Sequence, residues 1–117
     1  MFGVFLCSMK SKIAIQGIKG SYHHEVAEQL YGADVNLDEC LSFDALVASV
    51  TSGQSQAGVM ALENSIAGSI IPNYALIDRH NLHIVAEAYI RIEHQLMALP
   101  GTRIEDISEV ASHPMAL

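Results

Sequence analysis

The chain has 117 residues, 50% of them hydrophobic and 6% aromatic, and its 6 Lys plus Arg against 13 Asp plus Glu leave a net charge of −7. This length permits one packed soluble domain, and the acidic balance argues against a surface for nucleic acid or an anionic membrane. With 16% charged residues and no low-complexity tract the composition is not that of a disordered chain, and Cys7 and Cys40 are too few for a disulfide framework, reading instead as the reduced thiols of a cytoplasmic protein.

Residues 1–11 open on an apolar run without a leading charge, far below the ~20 residues of a membrane span. They read as a non-native or mis-started N-terminus, with the true start expected near Met9. From Lys12 to Gln16 the run KIAIQ predicts a strand that ends in Gly17-Ile18-Lys19-Gly20-Ser21. Val26, Ala27, Leu30 and Tyr31 then recur at helical spacing, and Gly32 supplies a stop. A weaker strand is expected over Val35 to Cys40. Ser42 is placed to cap a helix carrying Leu46, Val47 and Val50 that ends before Gly53. Ala57 to Leu62 is a continuous apolar run of strand length, the kind covered on both faces in a parallel sheet. This alternation of strand and helix predicts an α/β architecture.

Past Leu62 the texture changes. Glu63 to Ser69 reads as a polar, small-residue turn, followed by a helix through Tyr74, Leu76 and Ile77 that ends near Asn81. Leu82 to Tyr89 and Ile90 to Leu99 then read as two long extended segments, the second with Ile90, Ile92, His94, Leu96 and Ala98 on one face. Pro100-Gly101 breaks the chain, Ile104 to Ser108 is a short segment, Glu109 to Ala111 a last strand, and a final helix is expected to open at Pro114. The shift near Gly68 suggests that the chain passes from one lobe into another.

Three places suit chemistry. In the first, Gly17-x-x-Gly20-Ser21-Tyr22, glycines allow close backbone approach and a helix start offers N–H groups and partial positive charge to an anion. The same residues make an ordinary tight turn, and they match neither a dinucleotide fingerprint nor a P-loop. The second is Glu63-Asn64-Ser65. At the carboxyl end of a parallel strand an acid, an amide and a hydroxyl in succession grip a polar substrate, and Glu63 is a proton donor if a closed cleft raises its pKa. The alternative is that Asn64 and Ser65 cap the next helix and Gly68 serves packing. The third, Ser112-His113-Pro114, is either a cap with proline in the first turn or a second helix start facing an anion across a cleft. No metal site is expected: His23 and His24 cannot share one ion on a helix, and His80, His83 and His94 lack ligand spacing, His94 reading as a core or supporting group.

In their order and spacing, Gly17-x-x-Gly20-Ser21-Tyr22 with Ala27, then Glu63-Asn64-Ser65-x-x-Gly68, then His94-x-Leu96, then Ser112-His113-Pro114-x-Ala116-Leu117, the motifs resemble prephenate dehydratase from Lys12 to the end of the chain. Ile18, Ala61 and Met115 depart from residues common in that family. The resemblance implies a lyase of phenylalanine biosynthesis that converts prephenate to phenylpyruvate with loss of water and carbon dioxide. It also implies a two-lobed fold like the type II periplasmic binding proteins, residues 12–68 forming the first lobe and 69–117 the start of an incomplete second one. Carried over, Glu63, Asn64 and Ser112 are the catalytic candidates, with Gly20, Ser21, Tyr22, Ser65, Gly68 and His113 as substrate-binding candidates. Prephenate is the expected partner, with no cofactor, metal, nucleic acid or membrane, and a homo-oligomer is expected. The family's Thr-Arg-Phe motif occurs nowhere in the sequence, so the chain by itself is expected to have little or no activity. The competing reading is a non-catalytic module that binds small anions in the same cleft.

Overall fold

Ile13, Ala14 and Ile15 have no more than 2% of their surface exposed, because strand β1 (Lys12–Gln16) is covered on both faces and paired on both edges. The computed structural model, which describes residues 12–66 and 68–113, places β1 between β2 (Leu37–Cys40) and β3 (Ser55–Val59) in a parallel three-stranded sheet of order β2-β1-β3. Ile13 pairs with Leu37 on one side and Ala57 on the other. Parallel strands need crossovers, and helices α1 (Tyr22–Tyr31) and α2 (Phe43–Thr51) provide them.

The period-two alternation of β1 sorts the core into two layers. Ile13 and Ile15 pack with Val26 and Ala27 of α1, Ala57 and Val59 of β3, and Ala88. Ala14 turns to the opposite face, where Leu46 and Val47 of α2 and Leu76 of α3 (Ile71–Arg79) gather with Cys40, Met60 and Leu62. Burying a side chain such as Ile15 contributes roughly 1.5–3 kcal/mol. Close approach of α2 to β3 depends on Gly58, where an added Cβ would lie 2.6 Å from Leu46 Cδ2 and 3.2 Å from Val50 Cγ2.

The start of α2 forms as its sequence predicts, and α1 begins in the same way. Ser21 Oγ accepts the His24 N–H at 3.3 Å, and Ser42 Oγ accepts the Ala45 N–H at 3.1 Å. Gly32 stops α1 with φ +100°, its N–H donated to Glu28 O at 2.8 Å. A buried polar knot joins β2, α2 and β3: Asp38 Oδ2 accepts hydrogen bonds from Ser49 and, at 3.0 Å, from Ser55, with Gln54 Nε2 at 3.3 Å.

The structure differs from the sequence reading in several places. The second strand begins at Leu37 rather than Val35, and the third runs over Ser55–Val59 rather than 57–62, leaving Met60 to Leu62 outside the ladder. The polar segment after Leu62 is a miniature antiparallel hairpin, β4 (Glu63–Asn64) with β5 (Gly68–Ser69), pairing Glu63 with Ser69 and Asn64 with Gly68. Asn64 and Ser65 do not cap α3, whose start is Ile70 with no side-chain cap. Because Leu76 is buried in the sheet's core, that core extends beyond Gly68.

Residues 82–99 form no ladder, and neither do Glu109 to Ala111, since none of these stretches has a neighbouring strand to pair with among the described residues. A 3₁₀ turn, η1, spans Ile104–Asp106. From Arg91 to His113 every residue except the half-buried Ile107 is exposed, so His94 is not in a core. This trailing run makes the molecule long, 51 × 30 × 22 Å with a radius of gyration of 16.1 Å, where a compact chain of this length has about 13 Å. The expected start at Met9, Cys7 and the helix from Pro114 lie outside the described residues.

Candidate functional site

Because β1 and β3 are parallel neighbours, the loop that leaves β1 and the segment that leaves β3 emerge at the same carboxyl edge of the sheet. The first is Gly17–Ser21; the second leads through Met60 to the Glu63-Asn64 hairpin. Open α/β sheets hold ligands at this edge. Two of the three predicted motifs therefore stand on one side of the fold, placed by the ladder itself.

The Gly17–Ser21 loop is tightly self-satisfied. Gly17 N–H donates to Cys40 O at 2.8 Å, Lys19 N–H to Glu39 Oε2 at 3.2 Å, Gly20 N–H to His24 Nδ1 at 2.9 Å and Ser21 N–H to Ile18 O at 3.1 Å. Gly20 sits at φ +95°, a conformation that L side chains rarely adopt. The expectation of free amides waiting for an anion is thus corrected at these four positions, whose donors are already engaged. The Ser21 hydroxyl accepts from the helix, and the Tyr22 hydroxyl donates to Glu93 O at 2.7 Å, tying the trailing segment to α1.

At the hairpin, Glu63 is gripped by two hydroxyls. Tyr74 Oη donates to Oε1 at 2.5 Å, and Ser69 Oγ lies 3.0 Å and 3.1 Å from the two carboxylate oxygens. Both bonds favour the charged form, the Tyr74 bond most, so the Glu63 carboxyl lies below its usual range. This reverses the expected upward shift: the group is an exposed carboxylate rather than a stored proton. The same bond pushes the Tyr74 phenol up. Asn64 Oδ1 accepts the Ile66 N–H at 2.8 Å, closing the turn, and Gly68 takes φ +77° opposite it. Ser65 is exposed on the turn.

Three contributors were not legible in the motifs. Asn73, 2% exposed, donates from Nδ2 to Ala61 O at 2.8 Å and fixes the first turn of α3 against the approach to Glu63. Tyr74 and Ser69 are the others; a polar residue directly after Pro72, on the side of α3 that carries Leu76, was the available signal for Asn73. Ser112 and His113 lie exposed on the trailing run, away from any packed layer. A depression of about 640 Å³ lies elsewhere, between α1 and residues 89–93, with Glu25, Glu28, Tyr89 and Arg91 in its walls. Among the described residues no group of His, Cys, Asp or Glu is arranged to hold a metal ion, and no helix is long and apolar enough to cross a membrane.

A family model described as prephenate dehydratase matches residues 13–117. The chain is similar to arogenate dehydratase/prephenate dehydratase 2, chloroplastic, of Arabidopsis thaliana, 41% identical over 106 residues that make up 91% of this chain and 28% of that protein. It is equally similar to arogenate dehydratase 2 of Petunia hybrida, 41% identical over 91% of this chain and 27% of the relative. Arogenate dehydratase 4, chloroplastic, of Arabidopsis thaliana gives 41% over 91% of this chain and 25% of its own length. The chain spans about a quarter of the length of these relatives. No solved structure matches. The expectation of a cytoplasmic protein is overturned by these relatives, several of which are named as chloroplastic.

Proposed function

We propose, because this chain belongs to the prephenate dehydratase family, that it carries one wall of a dehydratase cleft that acts on arogenate or prephenate in phenylalanine biosynthesis. One observation carries the reading: the Gly17–Tyr22 loop and the Glu63-Asn64 hairpin leave adjacent parallel strands at the same edge. The names of the relatives include both substrates, so the preference between them is left to the experiment below. Their chloroplastic labels support a plastid location.

In the reaction the ring C–OH bond breaks and the hydroxyl leaves as water after taking up a proton. The bond to the ring carboxylate breaks with its electron pair entering the ring, carbon dioxide departs, and aromatisation drives the step. No electrons are exchanged with a cofactor. The chain's part is to bind and orient. Asn64, whose Oδ1 holds the Ile66 N–H, places its amide beside Glu63, whose ionised state suits it to hold hydroxyls in place rather than to protonate the leaving group. Ser21 and Tyr22 stand at the start of α1, where the partial positive charge favours a substrate carboxylate. Gly20, Ser65 and Gly68 shape the two turns, and Ser112 with His113 belongs to the facing wall of a second lobe.

The test is turnover of both substrates by the protein translated from the full reading frame that contains this chain, beside its Asn64→Ala variant. Wild-type turnover with roughly a hundredfold loss in the variant is expected, the range of one oriented donor at a reacting centre. Wild-type rates in the variant would remove Asn64 from the site, and tight binding without turnover by the wild type would favour a non-catalytic anion-binding module.

A further inference from the structure

We propose that His24 is a positioning residue for the Gly17–Ser21 loop, acting through the hydrogen bond that its imidazole accepts from the Gly20 N–H. His24 is 9% exposed and occupies the third position of α1. Its Nδ1 accepts the Gly20 N–H at 2.9 Å, so the ring carries its proton on Nε2, which lies 3.4 Å from Glu28 Oε1 one helical turn on. The geometry is a reciprocal cap. Ser21 Oγ receives the His24 N–H while the His24 side chain reaches back across the helix start, the pattern a glutamate or glutamine usually completes.

The histidine does more than end a helix. A glutamate cap bonds the capping residue's own N–H, whereas His24 reaches one residue further out, to a glycine at φ +95°. That bond fixes the Lys19–Gly20 peptide, which leads into Ser21 at the end of the loop and Tyr22 at the start of α1. Imidazole suits the place because its acceptor is rigid and its opposite nitrogen faces Glu28. The link to substrate rests on the dehydratase reading above; the link to the loop does not.

Two measurements on the full-frame protein separate these. Amide hydrogen exchange over residues 17–24 is expected to speed up roughly five- to tenfold in His24→Leu, the effect of one lost hydrogen bond, and to return toward the wild-type rate in His24→Gln, which restores an acceptor. Unchanged exchange in a folded His24→Leu protein overturns the proposal, whatever the protein's activity. In the turnover assay His24→Leu is expected to raise KM by a similar factor with a smaller change in kcat, with His24→Gln and Glu28→Gln intermediate. A folded His24→Leu variant with faster exchange and wild-type KM would deny His24 its role toward substrate, while wild-type protein that turns over neither substrate would instead count against the dehydratase reading.

Discussion

Glu63 illustrates how neighbours decide what a carboxyl group can do. Its position after the third strand suggests an acid, and its hydroxyl partners hold it as a carboxylate. Tyr74→Phe removes the stronger of the two bonds, so the Glu63 pKa is expected to rise toward the ordinary glutamate value, measured by NMR titration of the side-chain carboxyl. A titration indistinguishable from wild type would show that Ser69 alone holds the charge. Asn73 is the complementary case, a buried amide whose side-chain bond crosses from helix to strand exit. Asn73→Ala is expected to cost about 1–3 kcal/mol in urea unfolding, because it leaves the Ala61 carbonyl without that donor. Neither residue is conspicuous in the sequence, since a tyrosine and an asparagine on a short helix look like surface residues until the strand beside them is known.

Helices and strands up to Thr51 were readable because their signals are local. Ser42 caps where the sequence suggests, Gly32 stops the first helix, and KIAIQ is a strand over the expected residues. The same reasoning failed over residues 82–99. Alternating apolar residues satisfy one requirement of a strand, but a strand also needs a neighbour for its N–H and C=O groups, and none of the described residues supplies one to this stretch. Packing between elements yields two predictions. Gly58→Ala forces a methyl against Leu46 and Val50, and a loss of about 1–3 kcal/mol is expected, partly relieved by Leu46→Val in the double variant. His23 of α1 lies with its ring centroid 5.6 Å from that of Phe43 of α2, and burial lowers its pKa from 6.5 to about 4. The unfolded chain therefore binds a proton in this window that the folded chain refuses. Stability is expected to fall as pH drops from about 6.5 to about 4, by at most on the order of 3 kcal/mol. Chemical denaturation at pH 7 and pH 4.5 measures it, and His23→Leu should flatten the difference.

At the scale of the molecule, a well-packed parallel sheet is continuous with a run that buries almost nothing. Ile92, Leu96, Met97 and Leu99 are 44–87% exposed, a density of apolar surface that soluble chains seldom leave in water. The isolated chain is expected to associate as its concentration rises, and Ile92→Lys with Leu96→Lys to reduce both sedimentation of larger species and binding of an apolar dye, with little change in the sheet's unfolding. The two-lobed plan and the placement of Ser112 across a cleft were read from motifs alone, and the sheet's own hydrogen bonds say nothing of them. What the topology does dictate is an order of events. The sheet's middle strand is the first of its three to be made and its last edge is complete at Val59, so a ribosome that has extruded the chain this far has already delivered every backbone partner the sheet requires. The carboxyl edge that carries the Gly17–Ser21 loop can thus be assembled while the residues beyond Val59 are still being synthesised.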